Sequence, residues 1–277
     1  MYKVMSSIIK EISDRRNLIK ALVLKDLKIR YSRPMLGFFW TLLAPFLMVI
    51  IFYIIFSFIL RVNTTEYPFF LYLMSSVFPW RFFHESLICS ASSLVDNKNL
   101  IKESNFPHYL VPISIVLANL LNFLPSLVLL IAISFFILKT LPVFIVFVPI
   151  VLCTHLIITI GLSIVVSVLY VRWRDIKYIL DAVLLFLFYL TPAIYSINLV
   201  KNSFPQSLFS IYMCNPFVGL VNLYRLMFLK GFYATVKHDV TFLNLIIIPV
   251  VFGVSILLLG FHFYRKNKNS INDYLFY

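Results

Sequence analysis

The 277-residue chain is 61% hydrophobic and only 13% charged, yet it carries a net charge of +13. Soluble domains hold roughly 25% charged residues. A chain with half that, and a mean hydropathy of +0.95, cannot cover a water-facing surface. A soluble enzyme, a nucleic-acid-binding domain and a disordered tail are excluded, and the excess of Lys and Arg reads as a membrane-topology signal. Cys89, Cys153 and Cys214 stand in no CxxC spacing, so they form neither a disulfide framework nor a zinc pattern.

Residues 1–35 are basic and amphipathic. Ile8, Ile12, Ile19, Leu22 and Val23 fall on one helical face, and Lys10, Arg15, Arg16, Lys20 and Lys28 decorate the rest. That pattern suits a helix lying on anionic headgroups, or a simple topogenic arm. About 20 apolar residues cross a bilayer. On that measure the chain predicts an all-α membrane protein with six transmembrane helices, at about 36–60, 67–95, 109–138, 141–171, 179–200 and 240–264. Arg81 and Glu85 interrupt the second. Continuous runs of this length lack the period-two alternation of a barrel strand. Seventeen of the Lys and Arg residues fall on the side of the N-terminus and six on the other, with Arg81 mid-span. The positive-inside rule therefore puts both termini, including the tail 265–277, in the cytoplasm.

The connection 201–239 is extracytoplasmic yet apolar. Gln206–Met213 and Pro216–Leu229 read as two short helices split at Asn215-Pro216, since proline suits a helix's first turn. Too short to cross, they predict a re-entrant segment or a headgroup-level loop. The first and last three spans share neither loop lengths nor motifs, so a two-fold pathway needs a second copy of the chain.

Catalytic chemistry finds no residues. No GxxxxGK[ST] cradles phosphates, and the chain holds only six glycines. His84-Glu85 begins a zinc-protease pattern, but position 88 is Ile88. The first external loop offers a single carboxylate, Glu66, where glycosyl transfer wants a pair. No catalytic or metal-binding residue is assigned, and the chain is expected to bind no cofactor and no nucleic acid. Two cytoplasmic features stand out instead: the polar stretch Asp96–Pro107, where a soluble partner could dock and push on both neighbouring spans, and the compact turn Arg172-Trp173-Arg174-Asp175. Both also fit ordinary positive-inside punctuation.

Further motifs are Leu24-Lys25-Asp26-Leu27-Lys28-Ile29-Arg30-Tyr31, Leu36-Gly37 with Trp40 and Pro45, and Phe78-Pro79-Trp80 with Phe82-Phe83. Asn99-Leu100-Ile101-Lys102 with Phe106-Pro107 and Pro112 follows. Arg172–Ile176, Thr191-Pro192-Ala193-Ile194-Tyr195 and Asn215-Pro216 with Arg225 complete the set. Each is weak alone; in this order the chain resembles the permease subunits of ABC exporters for bacterial surface polysaccharides (O-antigen, capsule, teichoic acid). The resemblance implies a homodimeric permease of the bacterial cytoplasmic (inner) membrane. It would work with two copies of a nucleotide-binding subunit, which would carry the ATP and Mg2+, and would export lipid-linked polysaccharide. Teichoic acid, or a small amphiphile, drug or lipid, is the alternative cargo on the same fold. By the same likeness Asp26, Arg30, Asp96, Asn99, Leu100, Lys102, Glu103, Arg174 and Asp175 form the ATPase-coupling surface. Asn215, Pro216 and Arg225 belong to the extracytoplasmic gate.

One departure is Arg81, where the family usually has a small or apolar residue. Arg81 and Glu85 share a helix face. They either line the channel and touch polymer, or satisfy each other within the dimer. Tyr72, Phe78, Trp80 and Phe82, with Tyr195, are candidates for a channel on which sugar rings stack. The competing reading is interface belt and lipid-facing filler, to which Trp40 and Trp173 are assigned.

Overall fold

The computed structural model describes residues 14–31, 39–61, 67–101, 106–233 and 242–276, and all regular structure among them is helical. Helix α1 (Arg16–Tyr31) turns Ile19, Leu22 and Val23 inward. It sets them against Leu94, Leu110, Val111, Val168, Val171, Phe261 and Tyr264 at one end of the bundle. The apolar stripe expected at the membrane surface is here packed on the protein; Ile8 and Ile12 lie outside the described residues. Helix α2 (Phe39–Tyr53) passes Pro45 and loosens into a π-helical turn, Ile54–Ile59, closed by the Leu60 N–H on the Ile55 carbonyl at 2.9 Å.

Helix α3 (Phe69–Asp96) is the centre of the bundle, with α2, α5, α6, α7 and α10 around it. It buries residues on nearly every face, including Ser75, Ser76, Ser86, Ser90 and Ser93. The short α4 (Lys98–Ile101) follows, anchored by buried Ile101. Helix α5 (Leu110–Leu138) ends where Lys139 turns left-handed. A 3-10 lead-in, Val143–Phe147, opens α6 (Val148–Arg172), whose Pro149 sits in the first turn.

Helix α7 (Ile176–Leu190) stops before Pro192, which has no N–H to continue the ladder. Its 15 residues span about 22 Å, short of a hydrocarbon core. Three short helices follow: α8 (Ile197–Ser203), α9 (Gln206–Met213) and α10 (Pro216–Phe228). The two expected short helices are thus preceded by a third, which occupies the far end of the predicted fifth span. Asn215 caps α10 by accepting from the Phe217 N–H at 3.0 Å, with Pro216 in the first turn. All of α10 from Phe217 to Phe228 is buried.

Helix α11 (Phe242–Phe276) runs 35 residues, through the segment expected as a cytoplasmic tail. No glycine or proline follows Gly260, so nothing stops the helix when the apolar run ends. It packs along α6 at a close approach. A Cβ on Gly161 would lie 2.7 Å from the Leu257 backbone nitrogen, and one on Gly260 2.7 Å from the Gly161 carbonyl oxygen. Small residues permit such contact between membrane helices.

Among the described residues, four stretches are long and apolar enough to cross a membrane: Phe39–Ile59, Leu110–Leu138, Val143–Arg172 and Asn244–Ile271. Pro216–Phe228 is a shorter apolar helix. Of the other two predicted spans, α3 carries Arg81 and Glu85 and α7 is short.

Candidate functional site

Three constellations gather the sequence-predicted residues. The first lies at the cytoplasmic end expected from the charge pattern. A cavity of about 430 Å³ is lined by Lys25, Asp26 and Arg30 of α1, Asp96 and Asn97 at the end of α3, and Lys177 at the start of α7. Lys25 Nζ bonds Asn97 Oδ1, and Asn97 Nδ2 returns to the Ser93 carbonyl at 2.8 Å. The α3–α4 turn is therefore tied to α1. Asp96 and Asn99 are exposed, and Leu100 is half-buried; Lys102 and Glu103 lie outside the described residues. Arg174 and Asp175 are exposed in the α6–α7 turn, where the Arg174 guanidinium lies over Tyr170 at 5.2 Å. Burial pushes the Asp26 carboxyl up, against the pull of Arg30 and Lys25.

The second constellation is a cavity of about 310 Å³ among α1, α2, α3 and α5, lined by Phe78, Arg81, Phe82 and Glu85 together with Trp40, Asn119 and Asn122. Arg81 Nη2 meets Glu85 Oε1 at 2.6 Å, and the two side chains are 44% and 37% exposed. The pair is thus self-satisfied and reachable at once. Phe82 is buried, stacked on Phe123 at 5.3 Å. Trp80 leaves this group and packs with Phe83, Phe188 and Phe217.

The third joins residues predicted for separate duties. Arg225 is fully buried, its guanidinium 3.6 Å from the Tyr72 ring centroid. Its Nη2 donates to the Ala193 carbonyl at 2.9 Å, and Ser76 Oγ donates to the same oxygen at 2.6 Å. The Tyr72 hydroxyl donates to the Tyr195 carbonyl at 2.8 Å, and the Tyr195 hydroxyl to the Tyr189 carbonyl at 3.0 Å. Broken backbone away from water survives where other groups satisfy its carbonyls. Here α3 and α10 do so for Thr191–Tyr195. Asn215 and Pro216 stand at the entry to α10, which delivers Arg225.

Several participants escaped the sequence reading. Asn119 accepts from Arg30 Nη1 at 2.6 Å, and Asn122 from the Tyr31 hydroxyl at 2.6 Å. His84 Nε2 lies 3.0 Å from Asp181 Oδ1, linking α3 to α7. The signal existed: uncharged amides three apart in an apolar run, and an acid in another, are uncommon inside spans. Counting only charged interruptions passed over the first.

Residues 17–229, from α1 through α10, match the family described as ABC-2 type transporter. The chain belongs to this family. It is similar to the O-antigen export system permease protein RfbA of Myxococcus xanthus, with 30% identity over 224 residues, which is 81% of this chain and 85% of that protein. A Klebsiella pneumoniae protein of the same name is 30% identical over 241 residues, 87% and 90% of the two chains. A second Klebsiella pneumoniae relative is 30% identical over 216 residues, covering 78% and 81%. This ABC-2 chain is thus a multi-pass membrane permease, the transport subunit of an exporter rather than an enzyme. Its family implies an ATPase partner subunit. The surfaces described above are those such a permease has to offer.

Proposed function

We propose that two copies of this chain form the membrane part of an exporter that carries lipid-linked polysaccharide, O-antigen-like or capsular, out of the bacterial cytoplasm. Two copies of an ATP-binding subunit drive it. The observation that carries the cargo is similarity to permeases named for O-antigen export, extending over 87% of this chain and 90% of the relative. In this reading the chain crosses the inner membrane six times with both termini cytoplasmic. Helix α3 supplies the second crossing, and α7 with α8 the fifth. The burial of α3 and the bonded break at Thr191–Tyr195 support those assignments.

The ATP-binding subunits dock against Asp96, Asn99, Leu100 and the Arg174-Asp175 turn. The tie from Lys25 to Asn97 gives a physical link by which a push on that turn also moves α1. Helices α9 and α10 form the extracytoplasmic gate, and Arg225 couples it to the broken helix. Arg81 and Glu85 face the polymer. Removing the chain from its host tests the cargo. Polysaccharide should vanish from the cell surface and accumulate inside, and plasmid-borne protein should restore it. Unchanged surface polysaccharide would exclude this cargo.

A further inference from the structure

The linings of the 430 Å³ and 310 Å³ cavities share one residue, Arg30. Its guanidinium lies across the boundary as a bar with anchors on three helices. Nη1 donates to Asn119 Oδ1 of α5 at 2.6 Å and Nη2 to Asp26 Oδ2 of α1 at 3.2 Å; Nη2 also approaches Cys89 Sγ of α3 at 3.9 Å. The outer cavity opens among the polar cytoplasmic ends of α1, α3 and α7. The inner one adjoins it: along α3 the outer lining reaches Ile88 and the inner begins at Glu85, three residues or about 4.5 Å away.

We infer that the two cavities are one passage latched by Arg30, and that the inner cavity is a binding chamber for a neutral, hydroxyl-rich saccharide unit. Each charge at the chamber is answered: Glu85 pairs with Arg81 inside it, and Arg30, on its boundary, pairs with Asp26 of the outer cavity. An added phosphate would bring a second, uncompensated negative charge beside Glu85, which repels it. A sugar brings none. Its hydroxyls suit the paired charges and amides, and its apolar face suits Trp40, Phe78 and Phe82. Asn119 and Asn122 are each more than nine-tenths buried and carry amide nitrogens with no partner among the described residues. When Arg30 swings away, Asn119 also regains its carbonyl and can offer both ends of its amide to a hydroxyl.

The saccharide rests on the export reading, whereas the latch does not. The test therefore measures access rather than transport. In a chain with Cys153→Ser and Cys214→Ser, native Cys89 reports the outer cavity. A second chain, which carries Cys89→Ser and Ser126→Cys on the same Cys153→Ser, Cys214→Ser background, reports the inner one, because Ser126 lines it. Inverted membrane vesicles are treated with methanethiosulfonates bearing glucose, sulfonate or trimethylammonium. With Arg30 present, Cys89 should react and Ser126→Cys should stay protected. Arg30→Ala should speed labelling of Ser126→Cys about tenfold or more, as expected from losing one or two charge-assisted hydrogen bonds. Relative to free thiol, the glucose reagent should gain most. Asn119→Ala removes one anchor and leaves Arg30 in place, so it should raise the rate by a smaller factor and guards against misfolding of the first variant. Equal labelling with and without Arg30 overturns the latch. Preference for the sulfonate overturns the saccharide chamber in favour of an anion site. Neither result touches the export proposal.

Discussion

Arg225 is fully buried, and among the described residues it bonds no carboxylate. The Tyr72 ring and the Ala193 carbonyl hold it instead. Truncation to Ala would leave a cavity and strip one bond from a broken segment. Arg225→Ala should therefore cost about 3 kcal/mol or more, against about 1 kcal/mol for Ser76→Ala, which removes one neutral hydrogen bond. Thermal unfolding of the purified chain in detergent measures both. His108, just before α5, gives a pH test. Burial, with Lys268 adding to it, pushes its imidazole down from 6.5 to about 4. Between those values the unfolded chain binds a proton that the folded chain refuses, so stability falls as pH drops through that window and is level above it. The slope contributed by one such group is at most about 1.4 kcal/mol per pH unit. His108→Phe should flatten the difference in melting temperature between pH 7 and pH 5. At this scale the sequence showed that Arg81 was out of place and offered Glu85 as its partner, whereas Arg225 entered through family likeness and its partners were not legible. Tyr72 and Arg225 are far apart in sequence, and no periodicity links them.

Among elements, the long apolar runs were legible because a span's length is set by the bilayer rather than by neighbours. Pro216 marked the α10 entry for a local reason too: proline lacks the N–H and suits a helix's first turn. Neither the burial of α10 nor the packing of α1 was legible, since each depends on what lies opposite. Nor was the run of α11 to Phe276, because the limit was drawn where apolarity ends and the helix is indifferent to that. The contact between α6 and α11 is tightest at Gly161. Gly161→Leu must move backbone and should cost about 1–3 kcal/mol, lowering the melting temperature of the chain in detergent. Crossings by α3 and α7 have a direct check. Cysteines replacing Tyr67 and Asn99, which flank α3, and Arg174 and Ser203, which flank α7 and α8, should within each pair react with an impermeant thiol reagent from opposite sides of the membrane. Same-sided labelling would remove the six-span topology.

For the molecule as a whole, one chain offers no duplicated half, and its helices leave broad apolar faces outward. Helix α7 buries only Leu184 and Phe188 and exposes Tyr178, Ile179, Val183, Leu185, Phe186 and Tyr189. Lipid covers such a face as readily as a second copy would, which is why assembly was not readable from hydropathy and enters through family likeness. The helix ends at the α3–α4 and α6–α7 turns carry the opposite character. Asp96, Asn99, Arg174 and Asp175 are exposed and mixed in charge, as a surface for a soluble partner needs to be. The most direct measurement is transport itself: the chain purified with its ATP-binding subunit, reconstituted in proteoliposomes, and supplied with radiolabelled lipid-linked polysaccharide and ATP on the cytoplasmic face. The account predicts that polymer reaches the lumen only with hydrolysable ATP, and that polymer rather than small amphiphiles stimulates hydrolysis. Stimulation and movement of an amphiphile, with the polymer left outside, would contradict it.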